Sequence, residues 1–348
     1  MSAVIQRDTY RRLVLRKRLI LGGLALLLFC SVLLDLALGP ASYSVRDVLG
    51  ALFAPDSAPA QVRVVMWDIR LPIALMAVAV GAALSLAGAQ MQTILNNPLA
   101  SPFTLGISAA ASFGAAMGLA FGVALFPLAA QYMVPVNAFI MAMLSALLIH
   151  FLSLRRGVTA ETIVLLGIAL VFTFNALLAL VQFFATEQAV AAVVFWTMGS
   201  LTKATWPKLG VICLIIVITL PIFAKRAWAL TALRLGDDKA ASFGINVRSL
   251  RFQTLIMVSL LASFPVAFVG TIGFIGLVGP HIARMLIGED QRFFLPASLL
   301  TGALILSASS VVSKTLIPGA IFPIGVVTSL IGVPFFISLI LNGKKNTW

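Results

Sequence analysis

The longest uncharged segment of the chain runs from residue 71 to residue 154, which is 84 consecutive residues without Asp, Glu, Lys or Arg. One helix needs about 20 apolar residues to cross the hydrocarbon core of a bilayer. The segment is therefore too long for one or two spanning helices. Turn-forming residues at 96–98 and between Pro127 and Pro135 divide it into three predicted spans. This stretch alone indicates a polytopic, all-α membrane protein.

The composition of the 348-residue chain agrees with a membrane protein, because 61% of the residues are hydrophobic and only 10% are charged. Ordinary soluble domains have roughly 45–50% and about 25% of these classes. A soluble globular enzyme, a disordered protein and a secreted disulfide scaffold are thereby excluded. The two cysteines, Cys30 and Cys213, lie in separate apolar stretches, which provides neither a disulfide framework nor a metal cluster.

The same reading of the whole chain predicts ten membrane spans. They are residues 19–38, 72–95, 103–123, 136–154, 162–184, 207–225, 250–269, 272–288, 293–312 and 322–341. Residues 185–206 are predicted to form an outer loop with a short re-entrant or interfacial helix. The apolar run 19–34 follows a basic segment, as in a signal peptide, but it is longer than a usual signal core and no convincing cleavage site follows. An uncleaved first span is therefore expected.

The distribution of basic residues predicts the orientation of the spans. With ten spans and both termini in the cytoplasm, 18 of the 24 Lys and Arg residues fall on the cytoplasmic side. The positive-inside rule favours this arrangement. It makes residues 1–18 a basic cytoplasmic segment and 226–249 a cytoplasmic loop between spans six and seven. The net charge of +13 is then explained by membrane topology, and a nucleic-acid partner is not expected.

Several chemistries have no support in the sequence. The chain contains neither the phosphate-binding motif GxxxxGK[ST] nor an HExxH zinc motif, so no ATP-binding site, metal site or resident cofactor is expected. Proton-driven carriers usually place ionisable residues within the membrane, and the predicted spans offer almost none at mid-depth. We expect a translocator that is driven by another chain. A secondary carrier working alone and a membrane scaffold or enzyme remain the alternatives.

The most informative cytoplasmic segment is residues 235–245. Asp237 and Asp238 are predicted to begin a short helix, because acidic side chains are favourable at the positive end of the helix dipole. Gly244 is predicted to end that helix in a left-handed turn. A short amphipathic helix on the inner face of the membrane follows from this pattern. It serves either as an ordinary connector or as a docking helix for a soluble partner.

Several motifs, in order along the chain, resemble the FecCD permease family of ABC importers. The motifs are residues 70–72 (Arg-Leu-Pro), 80–89, 97–102 (Asn-Pro-Leu-Ala-Ser-Pro), 105–108, 235–244, 273–284, and 323–328 with 332–336. Together they extend the resemblance over about 20–343. The family residues with an implied structural role are Asn97, Pro98, Gly276, Pro280, His281, Arg284, Pro323, Gly325 and Pro334.

The resemblance implies a complex and a mechanism. A second permease chain, identical or paralogous, shares the pathway; two ATPase subunits that bind ATP and Mg²⁺ dock below; and an extracytoplasmic substrate-binding protein docks above. The implied ATPase-coupling residues are Leu235, Gly236, Asp237, Asp238, Ala240, Ala241, Phe243 and Gly244. The complex would lie in a bacterial cytoplasmic (inner) membrane, and this chain would carry no ATPase site of its own.

The resemblance also implies outer docking residues, an inner gate and a substrate class. Arg70 and Lys314 match family positions that pair with acids of the binding protein, and Arg63 is a substitute for a family arginine that is Ile73 here. The gate residues are predicted at Thr159, Glu161 and Thr162. The predicted substrate is a ferric siderophore, and haem or cobalamin is the alternative.

Overall fold

The computed structural model describes residues 3–39, 43–126, 130–153, 160–317 and 319–342, and all regular secondary structure in these ranges is helical. The α-helices are α1 (Ala3–Ala37), α2 (Val45–Phe53), α3 (Ala60–Val64), α4 (Leu71–Ile94), α5 (Ile107–Phe121), α6 (Ala130–Ser153), α7 (Ala160–Phe184), α8 (Glu187–Thr197), α9 (Trp206–Lys225), α10 (Ala227–Leu233), α11 (Asp237–Ser242), α12 (Val247–Val269), α13 (Ile275–Ile287), α14 (Gln291–Thr315) and α15 (Ile324–Asn342).

Each predicted span coincides with one of these helices. Within the described residues, seven helices are long and apolar enough to cross a membrane. The helices at the third, eighth and tenth predicted spans are shorter apolar helices, at Ile107–Phe121, Ile275–Ile287 and Ile324–Ser338. The all-helical membrane fold is therefore confirmed. The count of ten spans and the cytoplasmic position of both termini remain predictions.

Several helix boundaries differ from the predicted spans. α1 begins at Ala3 and continues without interruption through the basic segment into the apolar run. α6 begins at Ala130, so the proline-based boundary at Pro135 is wrong. A proline so close to the start of a helix removes only one backbone hydrogen bond, which a buried apolar helix tolerates. α4 is likewise extended toward the N-terminus by a turn of π-helix, Val65–Arg70.

Helix α4 forms the centre of the bundle and is buried along almost its whole length. It packs against α12, α13 and α14. Glycines make this close packing possible: a side-chain carbon on Gly88 would overlap the backbone of Gly276, and one on Gly81 would overlap the backbone of Gly302. Small residues allow such close approach between helices in a membrane, where little hydrophobic driving force acts between them.

The opposite situation holds for α7, whose side chains are largely exposed on the surface of the isolated chain. Phe172, Phe183 and Phe184 are among its most exposed residues. An apolar surface of this kind fits contact with lipid or with another apolar helix. The outer loop that was predicted at 185–206 contains the short helix α8, as expected, and α8 packs against α5.

Candidate functional site

The segment 226–249, predicted to be cytoplasmic, contains two short helices, α10 and α11. α11 begins at Asp237, with Asp237 and Asp238 in its first turn, as the sequence predicted. Gly236 and Gly244 flank it with φ angles of +103° and +80°, values that favour glycine. Ala240 is fully buried and anchors α11, whereas Leu235 and Phe243 are more than half exposed. The segment thus leaves these two apolar side chains on the surface of the chain.

Ala241 of the predicted coupling segment and Trp228 of α10 add to this exposed surface. Ala241 is exposed, and the ring centroid of Phe243 lies 6.1 Å from that of Trp228. Trp228 is 65% exposed. Exposed aromatic side chains are typical anchors of protein interfaces.

Helix α11, the predicted coupling helix, is joined to the centre of the bundle by Arg251 of α12. Arg251 Nη2 donates to both carboxylate oxygens of Asp237, at 3.0 and 3.1 Å. Its Nε donates at 3.0 Å to the carbonyl oxygen of Ile94, the last residue of α4. The four C-terminal carbonyls of a helix have no partner within the helix, so this bond satisfies one of them. One guanidinium therefore connects α11, α12 and α4.

A second connection starts from Arg234, which lies between α10 and α11. Its guanidinium forms a two-point ion pair with Glu289 in the turn between α13 and α14. Glu289 also pairs with Arg284 of α13, whose Nε lies 2.9 Å from Glu289 Oε1. Arg284 Nη2 then donates to Gln92 Oε1 of α4 at 2.8 Å. The family residue Arg284 is therefore part of a charged connection to the same end of α4.

The three basic residues that are predicted to lie on the outer face differ sharply in exposure. The side chain of Arg63 is 49% exposed and lies 3.7 Å from a carboxylate oxygen of Asp56. Lys314 Nζ is instead buried and lies 2.9 Å from Asp35 Oδ1, and Asp35 has no exposed surface. Arg70 is also buried, and its Nη1 donates to the carbonyl oxygens of Leu36 and Ala37 at 2.6 and 3.1 Å. Lys314 and Arg70 are thus engaged within the chain, and a docking role for them remains a prediction.

The predicted gate is described only in part. Thr159 lies outside the described residues, as does the Arg155-Arg156 pair before it. Glu161 and Thr162 are exposed in the first turn of α7. Their position at this helix end is compatible with a gate, and their function remains a prediction.

The residues of the structural motifs shape turns and close contacts. Asn97 Oδ1 accepts from the backbone N–H of Leu99 at 2.9 Å, which forms the turn that contains Pro98 after α4. Pro323 precedes α15, and Gly325 lies in its first turn, where its N–H donates to the carbonyl of Met198 at 3.0 Å. A side chain at Gly325 would overlap that carbonyl, so glycine is needed there.

Two prolines and a histidine of the motifs lie within helices. Pro280 is inside α13 and Pro334 is inside α15. A histidine that follows a proline within a helix could hydrogen-bond the backbone that the proline leaves free. Within the described part of the chain no hydrogen bond of His281 is found, and its ring packs edge-on against Phe335, with centroids 6.0 Å apart. The same ranges hold no group of three His, Cys, Asp or Glu residues suited to a metal ion.

Two cavities lie beside the short helix α8. One, of about 420 Å³, lies at the predicted outer end and includes Lys203, Lys314 and Phe322 in its wall. The other, of about 620 Å³, lies between the end of α8, the segment 271–273 and α15. Ser108, Thr197, Thr271 and Ser329 are its polar lining residues, and the described side chains around it include no charged group. Both volumes are within the range of sites for small ligands.

Sequence reasoning did not identify the partners of the charged residues. No partner of Arg251, Asp35 or Glu289 is predicted from the sequence. Acidic and basic residues near the ends of different spans were the available signal. Which of them pair depends on the packing of distant helices and is not encoded in local spacing.

Comparison with known proteins gives a consistent result. The FecCD transport family matches residues 25–342. An ABC transporter permease protein of Methanocaldococcus jannaschii is 38% identical over 96% of this chain and 97% of its own length. The hemin transport system permease protein of Yersinia pestis is 36% identical over 94% of this chain and 97% of its own length. Further relatives are named for iron chelatin, molybdate and vitamin B12.

A solved structure has the same fold. It is described as an inward-facing conformation of a metal-chelate type ABC transporter, with 30% sequence identity and a TM-score of 0.81. The alignment covers 93% of this chain and 99% of the other. The matched family, the relatives and the shared fold agree with the motif order found in the sequence. The chain is therefore a member of the FecCD transport family, whose members are the membrane-spanning permease subunits of ABC transporters.

Proposed function

We propose that the chain is the permease subunit of a binding-protein-dependent importer that moves a ferric siderophore across a bacterial cytoplasmic membrane. ATP would bind to two partner ATPase subunits, because the sequence carries no phosphate-binding loop of its own. A second permease chain would complete the pathway. With both termini in the cytoplasm, α10 and α11 face the ATPase subunits, and the loops around α2 and α8 face the binding protein.

The uncharged cavity of about 620 Å³ carries this proposal. Ferric siderophores are bulky and often anionic, so a route that binds them weakly must offer space and few fixed charges. Four hydroxyl side chains and mostly apolar side chains line the cavity, and the hydroxyl groups can hydrogen-bond to ligands of many shapes. Selectivity would then reside largely in the binding protein, which presents each substrate to a permissive pathway.

Haem is the second candidate substrate. The observation that favours it is the hemin transport system permease of Yersinia pestis, which aligns over 94% of this chain. Haem is flat and largely apolar, and the aromatic residue Phe103 contributes to the wall of the same cavity. Cobalamin is the third candidate, for which the relative named for vitamin B12 gives support.

The proposal is tested by uptake in proteoliposomes that contain the permease, its cognate ATPase and its cognate binding protein. A ferric siderophore labelled with iron-55, haem, and cobalamin are each offered as a separate substrate, with and without ATP. We expect ATP-dependent uptake of the siderophore. Uptake of haem or cobalamin without uptake of the siderophore would change the proposed substrate and leave the assignment as an ABC importer in place. Uptake in the absence of the ATPase would indicate a secondary carrier and overturn the proposal.

A further inference from the structure

The cytoplasmic end of α4 receives two separate charged connections from the coupling segment. Arg251 reaches the carbonyl of Ile94 while holding Asp237, the first residue of α11. The chain from Arg234 through Glu289 and Arg284 reaches Gln92. Both connections begin at the N-terminal end of the coupling helix, one at its first residue, Asp237, and one three residues before it, at Arg234. Both end within the last turn of the same central helix.

A third set of contacts fixes that turn to α14. Gln90 Nε2 donates to Gln291 Oε1 at 3.0 Å, and Gln291 Nε2 donates to Thr93 Oγ1 at 3.0 Å. All three side chains are buried. Buried polar groups that satisfy one another in a low-dielectric interior resist separation, because each would otherwise lose its hydrogen bond without regaining water. The last turn of α4 is therefore held to the helices that surround it.

The two connections differ from this buried set in their access to water. The side chains of Arg251 and Arg234 are each 18% exposed, and those of Asp237 and Glu289 are 55% and 39% exposed. A partly hydrated ion pair can lengthen or exchange partners at lower cost than a fully buried one. The connections thus hold α11 in place and still allow it to move.

We propose that the last turn of α4, Gln90 to Ile94, receives the movement of the coupling helix, and that Arg251 and Glu289 are positioning residues that carry it there. This inference rests on the proposed function and specifies the helix through which ATPase movement enters the bundle. Displacement of α11 moves Asp237 and Arg234, and the two connections move α4 with them. Because α4 packs against α12, α13 and α14, the displacement reaches most of the bundle at once.

The geometry of Arg251 explains why an arginine serves in this position. Its Nε and Nη2 bond two different acceptors at the same time, the Ile94 carbonyl and the Asp237 carboxylate. The planar guanidinium holds these donors in a fixed fork, whereas a lysine ammonium concentrates its donors at one point. Arg251→Lys therefore keeps the positive charge beside Asp237 and removes the rigid two-way connection.

The test compares Arg251→Lys, Glu289→Gln and the double variant with wild type in the reconstituted complex. The readout is the number of ATP molecules hydrolysed per iron-55 siderophore, haem or cobalamin molecule imported, with assembly of the complex checked by size-exclusion chromatography. Lys225→Gln is the matched control, because Lys225 is an exposed cation at the cytoplasmic end of α9 and belongs to neither connection. A residue with a merely structural role would lower the yield of complex and leave this ratio unchanged.

We expect each single variant to raise the ratio about fivefold, the double variant to raise it further, and the control to stay within about twofold of wild type. Ratios within about twofold of wild type for all three variants would overturn the inference alone. If Arg251→Lys fails to assemble, the Glu289→Gln variant decides, because its side chain has nearly the same size as the one it replaces. A wild-type complex that imports none of the probes with ATP would overturn the proposed function and, with it, this inference.

Discussion

The two ends of the helix bundle, predicted to be the outer and the cytoplasmic end, use the same kinds of charged side chains in different surroundings. At the outer end, Asp35 and Lys314 pair at 2.9 Å with almost no exposure to water. At the cytoplasmic end, Arg251 and Asp237 pair at 3.0 Å with the carboxylate half exposed. A buried pair is costly to break, because either partner alone is left as a buried charge. The comparison shows a fully buried ion pair between α1 and α14 at one end of the bundle and a partly hydrated ion pair between α11 and α12 at the other.

The buried ion pair between Asp35 and Lys314 is expected to give the largest effect when only one of its two charges is removed. Lys314→Met leaves the Asp35 carboxylate buried without a cation, which we expect to lower the free energy of unfolding by about 3–5 kcal/mol. The combined change of Asp35→Asn with Lys314→Met removes both charges and is expected to recover most of this loss. Denaturant titration in mixed micelles measures all three proteins. A loss of less than about 1 kcal/mol in the free energy of unfolding for Lys314→Met would contradict a stabilising role of this buried ion pair.

Substitutions at the glycines of α4 test whether close helix packing, as well as ion pairing, stabilises the bundle. Gly88→Ala places a methyl group against the backbone of Gly276, so we expect a loss of about 1–3 kcal/mol in the free energy of unfolding. Gly210→Ala in α9 is the control, because nothing lies within 4 Å of the added carbon. There alanine should be neutral or stabilising, by up to about 1 kcal/mol. Equal effects at the two positions would contradict the packing of α4 against α13.

Substitutions of Arg70 and Arg63 distinguish a structural role from a docking role at the predicted outer end of the bundle. Arg70→Gln withdraws a guanidinium that bonds two carbonyls at the end of α1, so we expect a loss of about 1–3 kcal/mol in the free energy of unfolding. Arg63 is half exposed, and Arg63→Gln should leave stability unchanged while weakening the affinity for the binding protein about two- to tenfold. Titration of the binding protein onto nanodisc-embedded complex measures affinity. Unchanged affinity for Arg63→Gln would remove it from the docking surface.

The smallest effect is expected at Asp290, at the cytoplasmic start of α14. Its carboxylate accepts the backbone N–H of Arg292 and pairs with the Arg292 guanidinium, which lowers the pKa of Asp290. A carboxylate whose pKa is lowered on folding adds stability above its unfolded pKa, and this is lost as pH falls through the folded value. Asp290→Ala should cost about 1 kcal/mol at pH 7 and less below pH 4. A cost that does not change with pH would contradict the role of the charge.

The sequence by itself determined the class of fold, the approximate positions of the long helices and the family. The uncharged stretch at 71–154 required several membrane helices, and the acidic pair Asp237-Asp238 followed by Gly244 placed α11 where it is found. Local signals suffice for these features, since hydrophobicity, helix starts and glycine turns act over a few residues. The boundary at Pro135 was wrong because tertiary packing of α6 outweighs the loss of one hydrogen bond.

Only the tertiary structure decided which charged residues meet. Lys314 and Asp35 are 279 positions apart, and Arg251 and Ile94 are 157 apart. No local pattern links such residues, because their contact depends on how α1, α4, α12 and α14 pack. The same packing buried Arg70 and Lys314, which the sequence had placed at the outer surface, and left Arg63 exposed. Charge type was readable from the sequence, and the surroundings that give each charge its role were set by the fold.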